Sequence, residues 1–183
     1  MVVHVHVLLI LVFTGCVTAP FVSRLQCPDV PVISDFNIKR YAGTWYEIER
    51  FDNPLQVDTR CISYKYFPRR NGNMRVSYTR LEMSVNKTTT RGILRQVNAR
   101  RPNYFKLTLE AIRGLAQNVI YTDYKRHAVL YGCDDATNLE WAFILSRNRQ
   151  PRRRKKCLYK YLTDLGAQVN LLVPSNQTGC DML

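Results

Sequence analysis

Apolar and polar side chains alternate along most of this chain in short runs, and turn residues break the runs at regular intervals. Eight runs follow one another after Gly43, at about 45–50, 60–67, 73–81, 89–97, 104–112, 119–124, 127–132 and 140–147. Tyr, Val, Ile, Thr and Phe dominate them, and a period of two is that of half-buried strands. Turn signals such as Asn71-Gly72 and Arg101-Pro102-Asn103 fall at the spacing of an antiparallel meander. Eight such strands close into an up-and-down barrel, which removes exposed edges and leaves an interior large enough for one small ligand. An open sandwich has the same periodicity, so the pattern alone fits both. After the strands the period changes. Leu158, Tyr161, Leu162 and Leu165 recur at i, i+3, i+4 and i+7, the stripe of an amphipathic helix packed on a sheet. Pro151 suits its first position and Gly166 its stop, so a helix is predicted over about 151–165, then a short strand at 168–172.

The first residues obey a different rule. From Val2 to Cys16 the chain is almost wholly apolar, and small residues follow at Gly15, Thr18 and Ala19. This is the pattern of a secretory leader, predicted over 1–19 with cleavage between Cys16 and Ser23. A membrane anchor is the rival reading, but the run is shorter than the roughly 20 residues that span a bilayer. Residues 20–42 then form an extended, proline-punctuated arm, and 43–183 the barrel, its helix and a tail.

Composition narrows the chemistry. Of three histidines, His4 and His6 lie in the leader, leaving His127. A multi-histidine metal centre is therefore excluded, and a Ser-His-Asp triad would have to be built on His127 alone. No metal site or cofactor is implied. Five cysteines remain beyond Cys16, with no C-x-x-C pair, which in a secreted chain reads as two disulfides and one odd thiol. Asn86-Lys87-Thr88 and Asn176-Gln177-Thr178 are glycosylation sequons and agree with secretion. Lys and Arg total 27 against 14 Asp and Glu, a formal charge of +13 that suits an anionic partner.

Three short motifs occur in order: Gly43-Thr44-Trp45 at the first strand, Thr122-Asp123-Tyr124 at the end of the sixth, and Arg147 at the end of the eighth. In these positions the chain resembles the lipocalins, and the text from Asn37 to Glu49 resembles their apolipoprotein D, Lazarillo and bilin-binding branch. Physical roles for these residues are independent of the likeness. Gly43 allows a tight turn into the barrel floor, Trp45 plugs that floor, Arg147 lies over the indole face, and Asp123 bonds local backbone donors. The resemblance implies the pairings Cys27–Cys133 and Cys61–Cys180, leaving Cys157, which on the helix reads first as a small buried hydrophobe and second as an exposed thiol for intermolecular pairing. It also implies that Tyr41, Tyr66 and Tyr78 line a pocket. Strand parity adds Phe143 and Trp141, which share a face with Arg147. Aromatic walls with a few hydroxyls suit a flat or elongated apolar ligand with one polar end, a fatty acid, sterol, retinoid or bilin.

Alternating strands also sort the loops. The closed end is expected to collect Lys39, Arg40, Arg69, Arg70, Arg100, Arg101, Lys125, Arg126, Arg149 and the run Arg152, Arg153, Arg154, Lys155 and Lys156, as a surface for an anionic glycan or lipid. The open end is expected to carry apolar Leu55, Val57, Met83, Val85, Leu115 and Ala116 among Asp52, Asp58, Asp134 and Asp135. The leading expectation is a secreted, non-enzymatic carrier, a monomer or weak oligomer that does not bind nucleic acid. A lipid-surface-associated antioxidant using Met83, or an interaction protein acting through its basic closed end and apolar open rim, is the second reading. A third is an isomerase using Cys61 as nucleophile, which a disulfide to Cys180 would abolish. Glu47 and Glu49 share a strand face by simple alternation, an arrangement that suggests carboxylate catalysis, but arginine-rich neighbours make ordinary ion pairing the preferred reading.

Overall fold

The computed structural model describes residues 22–23, 26–53, 56–82, 87–110, 112–137, 139–151 and 156–180. Asn37 caps a single helical turn, α1 (Ile38–Tyr41), its Oδ1 accepting from the Lys39 and Arg40 amides at 3.0 and 3.1 Å. The predicted arm leaves its extended course before this, in a turn at Ser34-Asp35 closed by Phe36 N–H to Ile33 O at 3.1 Å. Eight antiparallel strands follow: β2 (Gly43–Phe51), β3 (Thr59–Pro68), β4 (Met74–Glu82), β5 (Lys87–Asn98), β6 (Arg101–Leu109), β7 (Ile112–Thr122), β8 (His127–Cys133) and β9 (Leu139–Ser146). Each pairs with the next, and β9 pairs back onto β2 through Tyr46↔Ser146 and Glu47↔Leu145, so the sheet is a closed barrel rather than a sandwich. Two short strands extend it: β1 (Val22–Ser23) on β9 and β10 (Leu172–Pro174) on β2.

Several boundaries differ from the sequence reading. β6 ends at Leu109 and β7 already begins at Ile112, so Leu115 and Ala116 are not in an open-end loop. They pair with Leu107 and Lys106 inside the sheet, because Glu110, at φ +35°, makes the reversal early. The C-terminal helix is also shorter than 151–165. A 3-10 turn at Lys156–Leu158 leads into α2 (Tyr159–Thr163), and residues 152–155 lie outside the described set. Of its stripe, Leu158 and Leu162 are buried, whereas Tyr161 is exposed and stacks on Tyr121 with ring centroids 4.2 Å apart. The last strand begins at Leu172 instead of Gln168, since Val169–Leu171 turn as 3-10 helix.

The barrel has two apolar layers because alternate residues of each strand face opposite ways. Inside, Trp45, Tyr64, Tyr66, Val76, Leu94, Phe105, Leu130 and Leu145 form one cluster. Outside, Phe51, Val129, Tyr131, Ala142 and Ile144 pack under Leu158 and Leu162 of the helical segment. β8 is thus covered on both faces and buried along its whole length. Among the described residues, no helix is long and apolar enough to cross a membrane.

The disulfides Cys27–Cys133 and Cys61–Cys180 are both present, with Cα separations of 5.7 and 5.5 Å. Cys157 is an exposed free thiol, which corrects the expectation that it packs as a buried hydrophobe. A bulge at Arg60/Ser63 shifts β3 relative to β4 beside Cys61, which has φ +59°. On β2, the pairing with β3 covers Gly43 to Tyr46, and β10 pairs with Glu49 to Phe51. The tail is held there by Ser175 N–H to Ile48 O at 2.9 Å and Cys61 N–H to Asn176 O at 2.8 Å. Removing this bridge by Cys61→Ala with Cys180→Ala is expected to lower the unfolding free energy by about 2–4 kcal/mol. Urea denaturation under non-reducing conditions measures it.

Candidate ligand-binding site

The floor of the barrel is built by the three motifs together. Gly43 adopts φ +94°, and a Cβ there would stand 3.2 Å from Arg147 Nη1, so both the turn and the close approach call for glycine. Arg147 lies with its guanidinium carbon 3.7 Å from the Trp45 ring centroid. It also donates to the carbonyls of Thr44 (2.7 Å), Ala42 (2.8 Å), Tyr41 (3.1 Å) and Tyr124 (3.2 Å). Trp45 Nε1 donates to Tyr41 O at 2.9 Å. In the Thr122-Asp123-Tyr124 turn, Asp123 Oδ1 accepts from the Arg126 and His127 amides at 2.7 and 2.8 Å, and Tyr124 Oη accepts from Asn37 N–H at 3.0 Å. Burial works to raise the Asp123 carboxyl, but the His127 and Arg126 hydrogen bonds outweigh it and hold it below its ordinary range.

Above the floor stands a column of aromatic rings. Tyr41 contacts Trp45 and Tyr66 at 5.2 Å between centroids, and Tyr64 contacts Tyr78 at 5.3 Å and Tyr66 and Phe143 at 6.2 Å. Tyr41, Tyr66 and Tyr78 are therefore brought together on the interior, with Phe143 packed against their cluster. Burial drives the phenols of Tyr41, Tyr64, Tyr66 and Tyr78 upward, so they are neutral and serve as hydrogen-bonding groups. Trp141 has a different place. Its indole lies over Gly132, where any Cβ would come within 2.1 Å of Nε1, and that nitrogen donates to Ala116 O of β7 at 2.8 Å. The ring staples β7 to β9 across β8.

The interior also holds polar groups that strand patterns did not single out. Glu47 is fully buried: Oε1 accepts from Ser175 Oγ at 2.6 Å, while Oε2 accepts from Tyr64 Oη at 2.6 Å and Gln56 Nε2 at 3.0 Å. Arg50 Nη1 stands 3.9 Å away. Glu49 does not share this face. The register shift between Glu47 and Glu49 turns Glu49 outward, where Tyr159 Oη of α2 donates to it at 2.7 Å. Farther round the barrel, Gln117 Nε2 donates to Tyr66 Oη at 3.1 Å. Gln117 Oε1 is buried without a hydrogen-bond partner. Tyr64 was legible from its parity with Tyr66, and Glu47 from its parity with Trp45. Gln56 was not, because it reaches the interior from a loop.

Of the other expected sites, Cys61 is in a disulfide and carries no nucleophilic thiol, which overturns the isomerase reading. Asn176 is exposed. Asn86, Met83, Leu55, Val85 and Arg152, Arg153, Arg154 and Lys155 lie outside the described residues, and Lys156 is exposed at the start of the 3-10 turn.

Residues 36–177 match the Lipocalin-like domain family. The chain belongs to the lipocalins. It is 28% identical to mouse (Mus musculus) apolipoprotein D over 163 residues, covering 85% of this chain and 84% of that one. It is 27% identical to insecticyanin-B of Manduca sexta over 135 residues, covering 67% of this chain and 64% of that one. Among solved structures, lobster apocrustacyanin A1 superposes with a TM-score of 0.73 at 21% identity, covering 84% and 89% of the two chains. Relatives of this kind imply that a small hydrophobic ligand is bound inside the barrel.

Two outcomes follow from the site's geometry. Arg147→Lys keeps the charge but loses the fork that reaches several carbonyls, and is expected to cost about 2–3 kcal/mol in urea denaturation. For Glu47, burial is the largest influence and raises the carboxyl, against the pull of Ser175, Tyr64, Arg50 and Gln56. A raised folded-state value means that the unfolded chain ionises first as pH increases, so the protonated carboxyl's contribution is lost upward from about 4.5. Glu47→Gln should therefore gain stability relative to wild type between that pH and neutrality, and denaturation midpoints across the range check the sign.

Proposed function

We propose that this lipocalin is a secreted carrier that transports or sequesters an elongated, apolar small molecule with one polar end. The observation that carries the reading is the mixed lining of the barrel: a column of aromatic rings with a buried polar atom, Gln117 Oε1, that has no hydrogen-bond partner. An apolar interior with a few hydrogen-bonding groups is the general form of a small-molecule site. Tyr41, Tyr66, Tyr78 and Phe143 are the residues we assign to ligand contact. Trp141 we assign to shaping the wall, because its indole nitrogen already has a partner. Fatty acids, sterols, retinoids and bilins meet the chemistry. Secretion rests on the apolar leader at 1–19 and on the two disulfides, which persist in oxidising compartments. Glycosylation at Asn86 and Asn176 belongs to the same proposal.

Native mass spectrometry of protein secreted from eukaryotic cells, followed by denaturation, is expected to release one apolar molecule per chain. Phe143→Ala should then weaken rebinding of that molecule by about tenfold, read as quenching of intrinsic fluorescence. Protein that emerges empty and also refuses a retinoid, a fatty acid, a sterol and biliverdin would sink the carrier reading.

A further inference from the structure

From Thr59 to Leu109 the chain carries twelve Lys and Arg against a single carboxylate, Glu82, which is paired with Arg80 at 2.9 Å. This stretch makes β3 to β6, the half of the barrel wall that α2 does not cover. The pairing register puts its outward cations close together. Arg75 on β4 stands opposite Ile93 on β5, so Arg91 and Arg95 are its diagonal neighbours at about 7–8 Å. Lys65 on β3 stands opposite Ser77 and is diagonal to Arg75 in the same way. All four are exposed, and Lys65 and Arg75 both lie over the Phe67 ring, at 5.5 and 5.1 Å. Like charges at this spacing repel, and among the described residues no ion pair relieves these four. Ile93 sits inside the cluster at 43% exposure, and Val97, four residues along the same strand and on the same face, at 54%.

We propose that the outer face of β3 to β6 docks on an anionic phospholipid surface, with Arg75, Arg91, Arg95 and Lys65 on the phosphates and Ile93 and Val97 entering the headgroup boundary. The apolar side chains decide between polyanions. A membrane interface takes up both cations and hydrocarbon, whereas a sulfated glycan has no apolar layer in which Ile93 gains anything. The face lies on the side of the barrel, apart from the floor and from the interior, so it is independent of which ligand is carried.

The test is sedimentation of the whole secreted protein with vesicles of phosphatidylcholine alone and with about one-third phosphatidylserine. Wild type should bind the anionic vesicles and not the neutral ones. Arg91→Thr and Arg95→Thr, each a single change to an exposed strand residue, should weaken binding about fivefold, and the two with Arg75→Thr on the order of a hundredfold. Ile93→Thr should weaken vesicle binding about tenfold while leaving retention on heparin unchanged. Absence of binding to anionic vesicles, or a triple variant that folds and binds like wild type, overturns the proposal. So does an undiminished Ile93→Thr, which would assign the face to a sulfated glycan, or an equal loss when Arg152, Arg153 and Arg154 are replaced instead.

Discussion

The guanidinium of Arg147 is the fixed point of this barrel. It covers the indole of Trp45 and at the same time donates to carbonyls from the α1–β2 junction and from the Thr122-Asp123-Tyr124 turn. The cation–π contact alone contributes about 0.5–2 kcal/mol, depending on how far it is desolvated. The larger consequence is geometric. Residues drawn from both ends of the chain meet at one planar fork, and their meeting closes the sheet at its floor. Without that closure, the alternation that sends Tyr64, Tyr66 and Tyr78 inward would create an exposed aromatic face instead of an interior.

Closure in turn explains why a carboxylate can sit inside. Glu47 is buried with donors supplied by three separate segments: Tyr64 on β3, Gln56 from the loop before it, and Ser175 from the tail. A buried carboxylate is tolerable only when it is hydrogen-bonded, so these partners and the carboxylate depend on one another. The same tail carries Gln177, whose Nε2 donates to Glu47 O at 2.9 Å and Ile62 O at 2.8 Å, bridging β2 and β3 next to the Cys61–Cys180 bridge. The polar interior and the tail disulfide thus form one unit, adjoining the space in which the ligand is proposed to lie.

The barrel wall is chemically divided. The outer surfaces of β7 to β9 are apolar and serve as the seat of α2, which is why β8 is buried throughout. The outer surfaces of β3 to β6 are cationic and open. A carrier needs a closed interior and also a means of meeting the surface from which its cargo comes or to which it goes. In this chain the proposed cargo site and the proposed docking face fall on opposite faces of the same strands, since alternate residues are free to differ wherever one face is core and the other solvent.

Periodicity by itself determined the strand count, the order of the meander and the helix that follows, because a period of two and a period of 3.6 are properties of local sequence. The three motifs were equally legible, since their roles depend on residue type at fixed places: a glycine at positive φ, an indole, a guanidinium. What the sequence did not reveal was the early reversal at Glu110, which moved Leu115 and Ala116 into the sheet, and the bulge that parted Glu49 from Glu47. A one-residue shift of register exchanges the two faces of a strand, and nothing local announces it. Trp141 shows the same limit. Its parity pointed inward, but only the neighbouring Gly132 and the carbonyl of Ala116 on another strand decided that its ring lies against the wall. The partners of Glu47 and the exposure of Cys157 were likewise settled by contacts between segments far apart in the chain, which exist only once the barrel has closed.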